Sequence, residues 1–189
     1  TLFRIVHLCG GAALGFLMVS ARRGEKPGRV PWYDWVLVAL SIAVAVYLSR
    51  DIDDWQMRVG TVATQLDFWA AFVGTLLVLE FTRRTSGWAL TIIAAVFIVY
   101  GFGFVGRLFP EGSSLRHQGK PFEDWFVQIY SENGVFGQTL EVSSTFIILF
   151  VIFSAFLQRS GAGDYFNNLS VALVGWARGG PAKVAVISG

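Results

Sequence analysis

Residues 88–109, WALTIIAAVFIVYGFGFVGRLF, decide the fold class, because these 22 positions carry a single charge, Arg107. A helix needs about 20 predominantly apolar residues to cross the hydrocarbon core of a bilayer. Four other apolar runs of nearly spanning length flank this one, and aromatic residues crowd at the ends of the runs, as in interfacial belts. The four runs are residues 5–21, 32–48, 66–82 and 139–157.

The composition of the whole chain points to the same class. Of 189 residues, 54% are hydrophobic and only 15% are charged, whereas a soluble domain carries roughly 25% charged residues. The net charge of +2 is too small for a protein that tracks nucleic-acid phosphates, so no nucleic-acid partner is expected. We therefore predict an all-α integral membrane protein with about five transmembrane helices.

Two shorter stretches are predicted to lie along the membrane or only partly within it. Residues 125–130 suit an interfacial helix, and residues 165–176 suit a short interfacial, re-entrant or tilted helix. Around the second stretch, we expect Gly161 to close the preceding helix, Asp164 to cap the next helix, and Pro181 to stand in the first turn of a third.

Basic residues in the connections predict the orientation. Alternate connections carry nine Lys and Arg residues on one side of the membrane and five on the other. Cytoplasmic loops carry the excess of these residues. The connection 22–29 and the corner at Arg83 and Arg84 are therefore predicted to be cytoplasmic, and the connection 109–124 to lie outside.

Ionisable residues inside the predicted spans are few, and each is a functional candidate because burying a charge in the membrane is costly. Asp34 and Asp67 lie in the first turns of their runs, where we interpret them as helix-start charges at the interface. Glu80 precedes Arg84 by four residues, a spacing that predicts an ion pair on one helix face.

The start of the fifth run carries a polar cluster, formed by Glu141, Ser143, Ser144 and Thr145. Glu141 could line a polar cavity, and the three hydroxyls could coordinate an ion. We favour Glu141 as a carboxylate that faces the positive end of the helix dipole. Hydroxyls in membrane bundles commonly bond to the backbone or to a neighbouring helix. At this stage both interpretations stay open.

The sequence contains no catalytic or metal-binding motif. Cys9 is the single cysteine, which excludes an intrachain disulfide. His7 and His117 have no partners at metal-ligand spacing, so we interpret both as packing or loop residues. The zinc-protease, nucleophile-elbow and P-loop patterns are all missing. We therefore predict a non-enzyme without a cofactor or metal site, and an ion gradient as the drive if the chain transports.

The second half of the chain resembles a known family. Residues 134–146, GVFGQTLEVSSTF, are followed by SGAG at 160–163 and RGGPAKVAV at 178–186. This pattern resembles the start of the large, DctM-like permease subunit of tripartite ATP-independent periplasmic (TRAP) transporters. Glu141 departs from the resemblance, which leads us to expect an uncharged residue such as glycine there.

The first half is similar to the fused permeases of the TAXI branch of these transporters, in which a small-permease-like part precedes the large one. The similarity rests on WYDW at 32–35, LEFTRR at 79–84 and GWAL at 87–90. We expect residues 1–117 to form the small-permease-like scaffold with its outer loop, and residues 118–189 to begin the transport domain. Both ends of the sequence have the character of cuts, so we expect a fragment of a larger permease.

The resemblance implies a multi-pass permease of the bacterial or archaeal inner membrane, embedded in lipid. It implies sodium-coupled uptake of a small organic-acid-type solute with an extracytoplasmic solute-binding protein, which would dock near the connection 109–124. In this family the large subunit is thought to move as an elevator that holds ions and solute at the tips of re-entrant hairpins. The first hairpin would begin near Lys183 and reach its tip at Ser188 and Gly189.

Two other classes compete with a permease. One is a membrane scaffold or receptor domain that does not transport, and a solute-binding protein encoded beside the chain would speak against it. The other is an intramembrane enzyme, against which the missing nucleophile, metal set and paired acids speak.

Overall fold

The computed structural model describes residues 1–19, 21, 30–50, 52–59, 61, 63–176 and 179–188. Over these ranges the chain is helical, and no strand is present. The predicted connection 22–29, Arg178 and Gly189 lie outside the described residues. The helices are α1 (Leu2–Met18), α2 (Trp32–Arg50), α3 (Ile52–Arg58), α4 (Gln65–Ser86), α5 (Trp88–Tyr100), α6 (Gly103–Gly106), α7 (Phe122–Ile129), α8 (Gln138–Val142), a π-helical turn (Ser143–Ile147), α9 (Ile148–Arg159), α10 (Ala162–Val174) and α11 (Gly180–Ser188).

In the part of the chain that the structure describes, three helices are long and apolar enough to cross a bilayer: α2, α4 and the continuous helix Gln138–Arg159 that α8, the π turn and α9 form together. The helices α1 and α5 are apolar but shorter, with 17 and 13 residues. The all-helical fold is therefore confirmed and the helix lengths are consistent with a membrane protein, whereas the count of five spanning helices stays a prediction.

The helix predicted over residues 88–109 ends much earlier than expected, at Tyr100. Its break falls at Gly101, where a Cβ atom would overlap the indole ring of Trp125 on α7. Two further glycines, Gly103 and Gly106, lie against the backbone of the segment 117–119 in the same way. The second half of the run therefore does not continue the helix. Its glycines, which carry no side chain, instead allow other segments to approach the backbone closely.

The chain divides into two compact units, Thr1–Ser144 and Thr145–Gly189. In the first unit, α1, α2 and α4 pack against one another, and α4 also packs on α5 and α7. In the second unit, α10 packs on α9 and α11. The predicted domain boundary between residues 117 and 118 does not coincide with the division between these units, and it stays a prediction.

Helix ends confirm some sequence expectations and correct one. Gly161 adopts the left-handed conformation, with φ of 75°, directly between α9 and α10. Because α10 then begins at Ala162, Gly161 itself is the N-cap, and the expectation that Asp164 caps this helix was wrong. Asp164 lies in the first turn instead, where the positive end of the helix dipole stabilises a carboxylate. Pro181 stands in the first turn of α11, as predicted.

Candidate functional site

Of the polar cluster predicted at residues 141–145, Glu141 and Ser143 contact α1 within the first unit. Arg4 forms an ion pair with Glu141, with 2.7 Å between Nη2 and Oε2. Its other terminal nitrogen donates to the carbonyl oxygen of Phe136 at 2.7 Å and lies 3.8 Å from a carboxylate oxygen of Glu132. The Arg4 side chain is only 17% exposed, so this guanidinium is largely shielded by the carboxylates and backbone that it joins.

One turn further along α1, His7 meets the next polar residue of the cluster. Its Nε2 lies 3.0 Å from Oγ of Ser143. The Ser144 hydroxyl donates to the carbonyl oxygen of Glu141 at 3.1 Å. Two of the hydroxyls therefore bond to a neighbouring helix and to the backbone, as the structural interpretation expected. A role in ion coordination stays a prediction.

The same segment is the π-helical turn Ser143–Ile147, which includes Ser143, Ser144 and Thr145. Single π turns inside α-helices are rare and occur frequently at functional sites. Hydropathy carries no signal for such a turn, and the sequence did not predict it. Of the two hairpin candidates, Ser188 is the last residue of α11, and Gly189 lies outside the described residues.

A second cluster, the Arg84 cluster, is formed by Asp34, Glu80, Arg83 and Arg84. Arg84 donates to Asp34 Oδ1 at 2.6 Å and to Glu80 Oε1 at 2.8 Å. The side chains of Arg84 and Asp34 are each 1% exposed. Glu80 also accepts two hydrogen bonds of 2.7 Å from Arg83. The predicted pair of Glu80 and Arg84 is confirmed. Asp34 lies in the first turn of α2, as predicted, but it is buried and paired with Arg84, and its position at the membrane interface stays a prediction.

Arg84 also joins this cluster to α1. It donates to the carbonyl oxygen of Val19, just past the end of α1, at 3.1 Å. Its guanidinium lies 5.0 Å from the ring centre of Phe16, a cation–π geometry. One side chain thus holds the end of α1, the start of α2 and the end of α4 at the same end of the bundle. The alternation of the predicted topology requires this common end, and its cytoplasmic placement stays a prediction.

A third cluster lies at the opposite ends of α2 and α4, around Asp67. Its carboxylate accepts from Arg58 Nε at 3.0 Å, from Tyr47 at 2.8 Å and from the backbone of Thr64 at 2.9 Å. With the Thr64 side chain bonded in return, the two residues form a capping box. The hydrogen bond to Asp67 raises the pKa of Arg58 above its usual value. Asp67 is therefore a helix-start charge, as expected, but a buried and saturated one.

The connection 109–124 is followed by a cluster of aromatic rings. Phe122 and Phe126 pack against Phe68 and Phe72 of α4 in tilted or edge-to-face contacts. Phe102 stacks on Phe122. The connection is not an open loop, because these rings fix α7 to α4. His117, predicted to be a packing residue, lies 2.9 Å from the carbonyl oxygen of Tyr100 and its ring packs on the tyrosine ring. Burial raises the pKa of Tyr130, which follows α7.

The acidic pair Glu123 and Asp124 stands in the first turn of α7 with both side chains exposed. Within the described ranges, no group of three or more His, Cys, Asp or Glu side chains lies close enough together to hold a metal ion. The three clusters described above are instead groups of polar residues that join helices. The sequence analysis missed Arg4 and the bonds that Arg84 makes to other helices. The signal that could have predicted these pairs is that opposite charges lie at helix ends on the same predicted side of the membrane.

Comparison with known families identifies the chain. The family described as "Tripartite ATP-independent periplasmic transporter, DctM component" matches residues 73–189, which is more than half of the chain. Neither the curated proteins nor the solved structures gave a match. The matched region begins inside α4 and includes the outer connection, the π turn and all later helices. The chain therefore belongs to the DctM component family of the TRAP transporters, which are membrane permeases and not a class of enzymes.

Proposed function

We propose that this chain is the permease component of a secondary uptake system that couples a sodium gradient to the entry of a small organic-acid-type solute. The observation that carries the proposal is the family match over residues 73–189. Helices long enough to cross a membrane support it. An extracytoplasmic solute-binding protein delivers the solute, as the tripartite organisation of the family implies.

We further propose that the helices before the matched region form a small-permease-like part in one chain with the large part, the arrangement of the TAXI branch. In support, α1 and α2 pack on α4 inside the same compact unit. The buried pair of Arg84 and Asp34 and the pair of Arg4 and Glu141 both join the early helices to the matched region. Such contacts suit a permanent assembly, because a buried charge left without its partner is strongly destabilising.

The binding protein is proposed to dock on the connection 109–124. This segment lies at the end of the bundle opposite the Arg84 cluster, and its residues Glu123 and Asp124 are exposed. Exposed charges at an interface mainly steer encounter and set its salt dependence. Replacing both residues by lysine should therefore raise the concentration of binding protein needed for half-maximal uptake. Asp53 and Asp54, an exposed acidic pair in the first turn of α3, provide the matched charge-reversal control.

The sodium drive is tested with the full-length permease in proteoliposomes that contain no other transporter. Uptake should require both the binding protein and an inward sodium gradient, and it should collapse when potassium replaces sodium. Ser188→Ala and Gly189→Val should weaken the sodium dependence while membrane insertion is unchanged. Sodium-independent uptake would refute the coupling ion, and no uptake under any gradient would favour the alternative of a non-transporting scaffold or receptor domain.

A further inference from the structure

An apolar groove of about 480 Å³ lies in the first unit, between the end of α5 and α7. Its walls include Phe97 and Ile98 of α5 and Trp125 and Ile129 of α7. Sites that hold a drug-sized ligand measure about 300–1,000 Å³. The groove is therefore large enough for a segment of hydrocarbon chain, and its walls are of the matching chemistry.

The groove is a built feature of the fold. It exists because the chain turns at Gly101, where the ring of Trp125 occupies the space of a side chain. The indole nitrogen of Trp125 donates to the carbonyl oxygen of Ile98 at 2.8 Å, which satisfies the polar atom of this wall. The groove continues onto the apolar face of α5, where Val96 and Phe97 are 60% and 66% exposed. A hydrocarbon chain in the groove would thus be continuous with the lipid around α5.

A polar cleft adjoins the groove and shares His117 with it. Arg107 and Arg116 line this cleft, and Lys120 lines the groove beside it. Arg116 pairs with Glu111 at 3.1 Å, and that glutamate is 89% exposed. Among the described residues, Arg107 makes no ion pair. The positive charge of the cleft is therefore only partly neutralised within the protein.

We propose that the groove and the cleft together bind one anionic phospholipid. One of its acyl chains lies in the groove, and its headgroup phosphate lies in the cleft near Arg107 and Arg116. The charge of the cleft selects this occupant, because an apolar peptide segment would leave the cations unused and free phosphate would leave the groove unused. Basic pockets between helices on the cytoplasmic side of membrane proteins hold anionic headgroups, and the same attraction of arginine for phosphate applies to this cleft.

The test measures lipid binding by native mass spectrometry of the delipidated full-length permease, with phosphatidylglycerol and phosphatidylcholine of identical acyl chains. Phosphatidylglycerol should bind more tightly, and Arg107→Gln should weaken that binding by about fivefold, the effect of one cation near a headgroup. Glu111→Gln should strengthen it, because Arg116 then loses its competing carboxylate. Arg159→Gln, which removes an exposed arginine of α9, is the matched control and should leave binding unchanged.

Inorganic phosphate serves as the competitor that separates a headgroup site from a simple anion site. Millimolar phosphate should not displace the lipid, because it cannot fill the groove. Displacement by phosphate, equal affinity for the two lipids, or equal losses in the Arg107 and Arg159 variants would each overturn the proposal. Sodium-driven uptake is measured on the same variants, so that a failure of the lipid site stays distinct from a failure of transport.

Discussion

The buried pair of Arg84 and Asp34 offers the sharpest test of the fold. Arg84→Gln would leave the Asp34 carboxylate, which is 1% exposed, without its cation. Removing one partner of a buried pair costs about 3–5 kcal/mol, which is on the order of a thousandfold in the unfolding equilibrium. Arg83→Gln is the matched control, because Arg83 is 21% exposed and its ion pair, with Glu80, lies within its own helix. Its expected cost is about 0–1 kcal/mol.

The assay is equilibrium unfolding of the full-length permease in mixed micelles, followed by tryptophan fluorescence. The variants Arg84→Gln and Asp34→Asn are measured singly and together, so that the double-mutant cycle isolates their coupling. We expect the double variant to be little worse than either single one, because the second change removes the unpaired charge left by the first. Additive losses, or an Arg84 variant no worse than the Arg83 variant, would refute the reasoning.

Three further outcomes are expected from the first unit. Exchanging Arg4 and Glu141 should restore most of the roughly 1 kcal/mol that either single charge reversal costs, measured in the same unfolding assay. The cost is this small because the Glu141 side chain is 51% exposed. Gly101→Ala should cost about 1–3 kcal/mol through overlap with Trp125, and a smaller residue at 125 should relieve it. A cysteine that replaces Ser86 in a cysteine-free background should not react with an impermeant thiol reagent applied from outside. Strong labelling would contradict the predicted topology.

The sequence predicts long helices well where apolar runs end at strong local signals. The helix α4 begins after the capping box of Thr64 and Asp67 and ends at Ser86, just before Gly87, within a few residues of the predicted run. The run 88–109 fails because hydropathy measures only how apolar a segment is. The break after Tyr100 depends on Trp125, which comes from a helix 24 positions further along the chain. No window over the run itself contains that information.

The candidate residues show the same division between local and distant causes. Glu80 and Arg84 are one helical turn apart, so their pair follows from spacing alone. Asp34 and Arg84 are 50 positions apart, and Arg4 and Glu141 lie in different helices at either end of the first unit. Their pairing depends on how the helices pack, which a single sequence does not encode in any local pattern. The resemblance identified the family, but it carried no information about these pairs.

The contacts of the polar cluster also redirect the search for the coupling-ion site. Glu141 is paired with Arg4, and Ser143 lies within hydrogen-bond distance of His7. A cation bound there would have to displace the Arg4 guanidinium from the Glu141 carboxylate. Coulomb repulsion between the cation and the nearby guanidinium opposes such binding. Helix joining therefore explains Glu141 better than ion coordination does, including its departure from the uncharged residue that the resemblance leads us to expect. The sodium hypothesis is accordingly best tested first at Ser188 and Gly189, where the backbone of a glycine can approach an ion closely.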